Sequence, residues 1–135
     1  MSWMEIKARP IAKGKAVGEV LITKEPFSFL GGVDPATGVV IEKGHELEGK
    51  SLAGKVMVFP YGKGSTVGSY VLLDLAKNKK APAAIINVEA EPIIVVGAII
   101  SRIPMVDKPK QDIFRLLKNG MRVEVDGEKG VIRLL

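Results

Sequence analysis

The chain has 135 residues, of which 47% are hydrophobic, and its 20 basic and 15 acidic residues give a formal net charge of +5. This length and apolar content can supply one compact core, so we expect a single domain over residues 1–135. There is no cysteine and only one histidine, which excludes disulfides, thiolate ligation of an iron–sulfur cluster and a multi-histidine metal site. We therefore expect this chain to bind no metal and no cofactor by itself.

Targeting signals and extended binding surfaces are not indicated. The first seven residues lack a basic start followed by a long apolar run, and the apolar run at 93–100 is too short to span a bilayer. The densest basic cluster, Lys77, Lys79 and Lys80, follows an apolar stretch and is typical of a helix C-terminus. Aromatic residues are scarce at 5%, which disfavours a base-stacking surface. We expect a cytoplasmic protein without membrane or nucleic-acid partners.

The first part of the chain predicts two strands and a long irregular segment. Residues 5–11 and 17–23 are extended in character, and the turn-like stretch at 13–15 between them predicts a hairpin. Residues 24–50 are rich in glycine, proline and charge, and only 38–41 resemble a short strand. We expect this segment to be partly mobile without a partner, with His45 on its surface and not acting as a catalyst.

The middle of the chain predicts a strand, a loop and a helix, followed by two more strands. Residues 55–59, Lys55 followed by four apolar residues, predict a buried strand. Apolar residues then recur at helical spacing, at Val67, Val71, Leu72 and Leu75. Residues 83–88 and 93–96 are apolar and rich in β-branched side chains, which predicts further buried strands in a partly parallel sheet.

The end of the chain predicts a short helix and a hairpin. Residues 112–118 suit a helix closed by Asn119 and Gly120, and residues 121–125 and 130–135 flank a turn at Asp126 and Gly127. Strands dominate the chain, with about two helices. The predicted fold is therefore mixed α/β with a β-rich, barrel-like core.

The loop between the predicted strand and helix, Gly62-Lys-Gly-Ser-Thr-Val-Gly-Ser69, is the best site candidate. Its glycines permit positive φ or close approach of a ligand, and free N–H groups at a helix N-terminus favour an anion. A Walker A loop is excluded because Gly64 follows Lys63, and a dinucleotide fingerprint is excluded by the spacing to Gly68. Taken alone, the loop is explained by a hydroxyl of Ser65 or Thr66 capping a helix.

Four segments in sequence order together resemble the small subunits of archaeal phosphomevalonate dehydratases, a branch of the aconitase X family. They read GGVDPATG at 31–38, GKGSTVGS at 62–69, APAAIIN at 81–87 and EPIIVVGA at 91–98. Each segment alone is explained by a turn, a strand end or close packing. Their combination favours the family, with mild departures at Glu91, where aspartate is frequent, and at Thr66, where a second serine is common.

The resemblance implies a fold, a reaction and a partner. The fold is the swivelling β/β/α domain of aconitases. The reaction is the dehydration of (R)-mevalonate 5-phosphate to trans-anhydromevalonate 5-phosphate in the archaeal mevalonate route to isoprenoids. The partner is a large subunit that carries a 4Fe-4S cluster as Lewis acid, without which the small subunit is expected to be inactive.

The resemblance also implies which residues act. Ser65 is the implied proton acceptor, and its loop can offer the dipoles and the cation that an alkoxide needs. The remaining expected substrate-binding residues are Lys63, Gly64, Thr66, Asp34, Thr37, Gly38 and Asn87. Two alternatives stay open: a dehydratase of another hydroxy acid in the same family, and a non-catalytic anion-binding module in which Ser65 only caps a helix.

Overall fold

The computed structural model of the protein describes residues 4–135; Met1, Ser2 and Trp3, part of the N-terminal segment considered above, lie outside the described residues. The strands are β1 (Glu5–Lys7), β2 (Arg9–Ala12), β3 (Lys15–Ile22), β4 (Val56–Phe59), β5 (Ala84–Asn87), β6 (Met105–Asp107), β7 (Arg122–Asp126) and β8 (Val131–Leu134). The helices are α1 (Phe29–Gly32), α2 (Gly68–Lys77), α3 (Pro92–Ile100) and α4 (Ile113–Leu116). None of the described helices is long and apolar enough to cross a membrane.

The strands form one sheet in the order β1-β8-β7-β3-β4-β5-β6-β2. β3, β4, β5 and β6 run parallel, whereas β7 is antiparallel to β3, and β8 and β1 continue that antiparallel half. Side chains of both halves share one apolar cluster, which includes Val58, Ile86 and Val125. The two halves therefore face each other across a buried core.

The opposite face of the parallel half is covered by α2 and α3. Met57, Phe59 and Ile85 alternate along their strands with the residues of the first core and pack with Leu72 and Ile94 of the helices. The layers are therefore antiparallel sheet, parallel sheet and helices, which confirms the predicted α/β class and the β/β/α order.

The sheet is not closed by hydrogen bonds, because the described part of the chain has no ladder between β1 and β2. Only Ala8 separates these two strands, so the chain itself passes from one edge of the sheet to the other. The core is therefore barrel-like only in that the chain connects the two edge strands, β1 and β2, without hydrogen-bonding them to each other. Of the four described helices, only α2 and α3 exceed one turn, in line with the two helices that the sequence predicts.

The predicted N-terminal hairpin is wrong, although its strands exist. β1 pairs with β8 and β2 pairs with β6, while β3 pairs with β7 on one side and β4 on the other. Because β3 is a central strand, both of its edges are already occupied, and no edge remains for the preceding segment.

The predicted strand at 93–96 is also wrong, because these residues belong to α3. Glu91 caps the helix by accepting hydrogen bonds from the N–H groups of Ile93 and Ile94, and Pro92 occupies the first turn. The strand that pairs with β5 on the side away from β4 is β6, which was not predicted from the sequence.

The remaining predicted elements are confirmed within a few residues. These are β4, β5, α2, α4 and the hairpin of β7 and β8. Lys77 lies in the last turn of α2, as expected for a cation near a helix C-terminus. The stretch 24–50 is irregular apart from α1, and the predicted strand at 38–41 is reduced to isolated bridges of Val39 and Val40.

Candidate active site

The loop that carries Ser65 lies at the carboxyl edge of the parallel strands. Phe59, the last residue of β4, pairs in register with Asn87, the last residue of β5. The chain leaves β4 through residues 60–67 into α2, and leaves β5 through residues 88–91 into α3. Ligands of open α/β sheets bind preferentially at this edge, outside the strand ends and next to helix N-termini.

The first part of the loop is fixed on two sides. On one side, the Phe27 N–H donates to the Tyr61 carbonyl at 3.2 Å and the Lys63 N–H donates to the Phe27 carbonyl at 3.0 Å. On the other side, the first turn of α3 lies so close that a Cβ at Gly62 would overlap Ile94 and lie 2.7 Å from Oε1 of Glu91. Only glycine therefore fits at position 62.

The second part of the loop presents Ser65 and three free backbone amides. Ser65 is half-buried, its Oγ accepts a hydrogen bond from the Val67 N–H at 3.1 Å, and its carbonyl accepts from Gly68 at 3.0 Å. Within the described residues, the N–H groups of Gly64, Ser65 and Thr66 donate to no acceptor. Consecutive free N–H groups, which follow Lys63 in the sequence, favour an anion such as a carboxylate, a phosphate or an alkoxide.

Asn87 lies at the same edge and is completely buried. Its Nδ2 donates to the carbonyls of Phe59 at 3.1 Å and Ile86 at 3.3 Å, whereas its Oδ1 meets no donor among the described residues. Strand alternation places its side chain on the face of Ile85, which is the face covered by the helices. The site therefore contains a buried hydrogen-bond acceptor on the helix side of the sheet.

Three of the predicted substrate-binding residues, Asp34, Thr37 and Gly38, lie in a turn at the other end of α2. Asp34 organises this turn by accepting hydrogen bonds from the Ala36 N–H at 2.9 Å and the Gly38 N–H at 2.7 Å. Asn78, at the C-terminal cap of α2, donates to the Pro35 carbonyl at 2.8 Å.

The length of α2 separates this turn from the Ser65 loop. A helix of ten residues spans about 15 Å. The structure thus brings Lys63, Gly64, Ser65 and Thr66 together, with Asn87 at the same sheet edge, but does not bring Asp34, Thr37 or Gly38 to them. A role of the turn in substrate binding stays a prediction.

Asp107, at the end of β6, contributes a second buried polar group at this edge. Its carboxylate accepts hydrogen bonds from Nε and Nη2 of Arg9 and from the Ala90 N–H, each at 2.8 Å. The hydrogen bond and the charge of Asp107 raise the pKa of the Arg9 guanidinium above its ordinary value. The pair ties the segment between β5 and α3 to β2. No sequence motif indicated this pair.

Two other neighbours of the loop were not identified from the sequence. Glu91 caps α3 and lies where a Cβ on residue 62 would meet it. The pair Glu91-Pro92 was an available signal, since proline is common in the first helical turn after a capping residue. Ser28 has its Oγ directly against Gly64. No local pattern indicated Ser28, because it lies within the irregular stretch.

The prediction that His45 lies on the surface is wrong, because its side chain is buried in the core. Its ring lies edge-on to Phe27 with centroids 5.5 Å apart. Nε2 lies 3.2 Å from the Pro26 carbonyl, and Nδ1 accepts from the Leu47 N–H at 3.0 Å. These contacts assign the proton to Nε2 and give His45 a structural role in the irregular stretch.

Thiolate ligation of an iron–sulfur cluster needs cysteine. The chain has no cysteine. In residues 4–135, no group of three or more histidine, aspartate and glutamate side chains is placed to hold a metal ion.

Comparison with known proteins gives a consistent result. A sequence model of the aconitase X swivel domain matches residues 5–134. The protein named phosphomevalonate dehydratase small subunit of Methanosarcina mazei is 59% identical over 98% of this chain and 92% of its own length. The protein of the same name from Methanothermobacter thermautotrophicus is 58% identical over 96% and 99%. The crystal structure of Thermococcus kodakaraensis aconitase X, holo-form, superposes with a TM-score of 0.93 at 55% identity and 98% coverage of both chains.

Proposed function

Because this chain belongs to the aconitase X swivel-domain family, we propose that it is the small subunit of a two-chain phosphomevalonate dehydratase. The observation that carries the proposal is the Ser65 loop, which presents a hydroxyl and three free N–H groups at the carboxyl edge of a parallel sheet. Whole-length identity of 58–59% to proteins named as such small subunits supports the same reading.

The proposed reaction converts (R)-mevalonate 5-phosphate to trans-anhydromevalonate 5-phosphate and water. The bond between hydrogen and the carbon α to the carboxylate breaks, the hydroxyl leaves the adjacent carbon, and a double bond forms between these two carbons. In this proposal Ser65 Oγ reacts as an alkoxide, which accepts the proton from the α carbon and becomes a neutral hydroxyl. One proton then passes from this hydroxyl to the departing hydroxide, which leaves as water, and the alkoxide is restored.

A neutral serine is a weak base, so the surroundings of Ser65 must lower the cost of a negative oxygen. The hydrogen bond from the Val67 N–H to Oγ does this directly. The neighbouring Lys63 ammonium and the free amides of the loop add favourable charge and dipoles. The same amides are able to hold a substrate carboxylate or phosphate, whereas contact between the substrate and the completely buried Asn87 stays a prediction.

The electrophile for the departing hydroxyl belongs to a partner in this proposal. The name small subunit among the relatives implies a larger partner chain. We propose that this large subunit carries a 4Fe-4S cluster that supplies Lewis-acid chemistry. Closure of the small subunit onto it would exclude water and complete the site. A single domain and a cytoplasmic location stay predictions.

The test is co-expression with the large subunit of the same source under anaerobic conditions. Loss of water from mevalonate 5-phosphate is measured with each chain alone and with both. Activity of the mixture alone is the expected result. A stable complex with an intact cluster that leaves this substrate untouched would reject the substrate and favour another hydroxy acid. Failure to form any complex would favour the anion-binding module.

A further inference from the structure

We propose that Ser28 is a positioning residue of the active site, whose hydroxyl supports Gly64 and thereby sets the position of Ser65. The proposal rests on the function proposed above for Ser65. It concerns a residue outside the glycine-rich segment, on a part of the chain 37 positions earlier in the sequence.

Ser28 is rigidly placed because both of its neighbours are anchored in the core. Phe27 and Phe29 are almost completely buried, and their rings meet edge to face with centroids 4.9 Å apart. Both rings also pack against Phe59 at the end of β4, with centroid distances of 6.1 Å and 6.2 Å. The backbone of Ser28 is therefore held by two aromatic side chains, while its own side chain stays half-buried.

The hydroxyl of Ser28 is in turn fixed and faces the loop. Its Oγ donates to the Leu30 carbonyl at 2.9 Å, which sets the side-chain rotamer. A Cβ added at Gly64 would overlap this Oγ and lie 3.1 Å from the Ser28 Cβ. The side chain of Ser28 therefore packs directly against Gly64.

The loop depends on this support because, in the described part of the chain, the hydrogen bonds beyond Lys63 are local ones from Val67 and Gly68 to Ser65. Gly64 adopts φ +94°, a conformation without side-chain restraint, and the next two residues offer N–H groups that meet no acceptor in the described part of the chain. Lys63, Gly64 and Thr66 are exposed. Removing the Ser28 hydroxyl would leave a gap beside Gly64, and Ser65 would then sample positions away from the reacting carbon.

The experiment compares Ser28→Ala with Ser28→Thr and with a matched control, Ser51→Ala. Threonine retains the hydroxyl and suits the extended backbone of Ser28 (φ −108°, ψ 120°). Ser51 pairs with Val39 beside the turn at the other end of α2 from the Ser65 loop, and its Oγ accepts a hydrogen bond from the Ala53 N–H at 3.2 Å. Each variant is assayed as the complex with the large subunit, and as the full chain alone by NMR.

For Ser28→Ala we expect kcat to fall about tenfold while KM for mevalonate 5-phosphate changes little, because misplacement of a reacting group by a fraction of an ångström slows the chemical step. In the chain alone, the amide resonances of Gly64, Ser65 and Thr66 should shift and their ¹⁵N order parameters should fall. Ser28→Thr should restore both kcat and the order parameters, and Ser51→Ala should change neither.

Unchanged resonances and order parameters in Ser28→Ala would overturn the proposal, as would a kcat equal to that of the wild type. A fall in kcat that matches only a loss of folded protein, measured by thermal unfolding, would also overturn it. If the wild-type complex does not dehydrate mevalonate 5-phosphate, the proposed function fails. The NMR comparison then still decides whether Ser28 positions the loop.

Discussion

The hydroxyl of Ser69 donates a 2.7 Å hydrogen bond to the carbonyl of Ile93 and thereby joins the first turns of α2 and α3. Ser69 is buried, whereas Ser65, four residues earlier in the same glycine-rich segment, is half-buried and lies on the loop. The two serines therefore have different surroundings, which predicts different consequences for their removal.

Replacement of Ser69 by alanine should lower stability and leave the chemistry intact. The Ile93 carbonyl would lose a buried donor, so we expect the free energy of unfolding to fall by about 1–3 kcal/mol. Urea unfolding of the chain measures this change, and kcat of the assembled complex at low temperature should stay near the wild-type value. A loss of kcat with unchanged stability would contradict the structural role of Ser69.

Replacement of Ser65 by alanine should have the opposite effect. The variant loses one exposed hydrogen bond from the Val67 N–H, so stability should fall by no more than about 1 kcal/mol. Removal of the proposed base should lower kcat by about a hundredfold or more. Gel filtration with the large subunit controls for assembly. Activity within a few-fold of the wild type would show that Ser65 only organises the turn.

Gly97 is required where α3 crosses α2. A Cβ at this position would lie 2.6 Å from Cδ1 of Leu72 and 3.2 Å from the backbone Cα of Ser69. We expect Gly97→Ala to destabilise the protein by about 1–3 kcal/mol through overpacking, despite the higher helix propensity of alanine.

Gly68→Ala is the matched control for Gly97→Ala. Gly68 lies in α2, and its added Cβ would meet Ile93 and Phe29 only at 3.5 Å and 3.8 Å, which are ordinary contacts. Its thermal unfolding midpoint should stay at or above that of the wild type. Equal destabilisation by both substitutions would contradict the argument from close packing.

Asp126, at the end of β7, should contribute to the acid sensitivity of the fold. Hydrogen bonds from the N–H groups of Lys129 and Glu128 lower the pKa of this carboxyl group, against the opposing effect of burial. A carboxyl group with a lowered pKa in the folded state stabilises the protein fully above its unfolded-chain pKa of about 3.9. This contribution is lost as the pH falls through the folded-state value.

Asp126→Asn tests this pH dependence, because an asparagine oxygen can accept the same two hydrogen bonds without a charge. Urea unfolding should show the wild type more stable than Asp126→Asn at pH 7, with the difference shrinking below about pH 4. A difference that stays constant from pH 7 to pH 2 would exclude titration of Asp126 as its cause.

The stretch 24–50 should be partly mobile in the free chain and become ordered in the complex. Its buried residues anchor it at intervals, at Phe27, Phe29, Val33, Val40, His45 and Leu47. The mobility is therefore expected between these anchors, above all at 41–44, which are largely exposed, and not at Ser28 between Phe27 and Phe29. Hydrogen exchange should be faster here than in β4 and β5, and it should slow when the large subunit binds. Full protection of the stretch in the free chain would count against this prediction.

The elements predicted correctly are those whose local pattern and tertiary environment agree. β4 and β5 are buried on both faces and are continuous apolar runs in the sequence. α3 was misread because Val96, Ile99 and Ile100 are exposed although apolar, so the helix lacks the polar face that a helical pattern needs. The capping pair Glu91 and Pro92 indicates the start of this helix better than the pattern of apolar residues does.

The site was predictable where it is continuous in sequence and not where it depends on tertiary contacts. The glycine spacing of 62–69 indicated the loop, because glycine marks positions where the backbone takes a positive φ or approaches another group closely. The positions of Ser28, Asp107 and His45 depend on which distant segments come together in the fold, and the pairing predicted for the N-terminal strands, a hairpin, was wrong. For the same reason, the sequence could not show that α2 separates Asp34 from Ser65.

The strand order also has a consequence for how the chain acquires its structure. Glu5 in β1 pairs with Arg133 in β8, so β1 cannot pair in the sheet until β8 has been synthesised. Pairs so distant in sequence raise the contact order, which slows folding to the millisecond-to-second range typical of β-rich domains. On the ribosome, the parallel strands and their helices can assemble early, but the antiparallel half is completed only after β8 has left the ribosome.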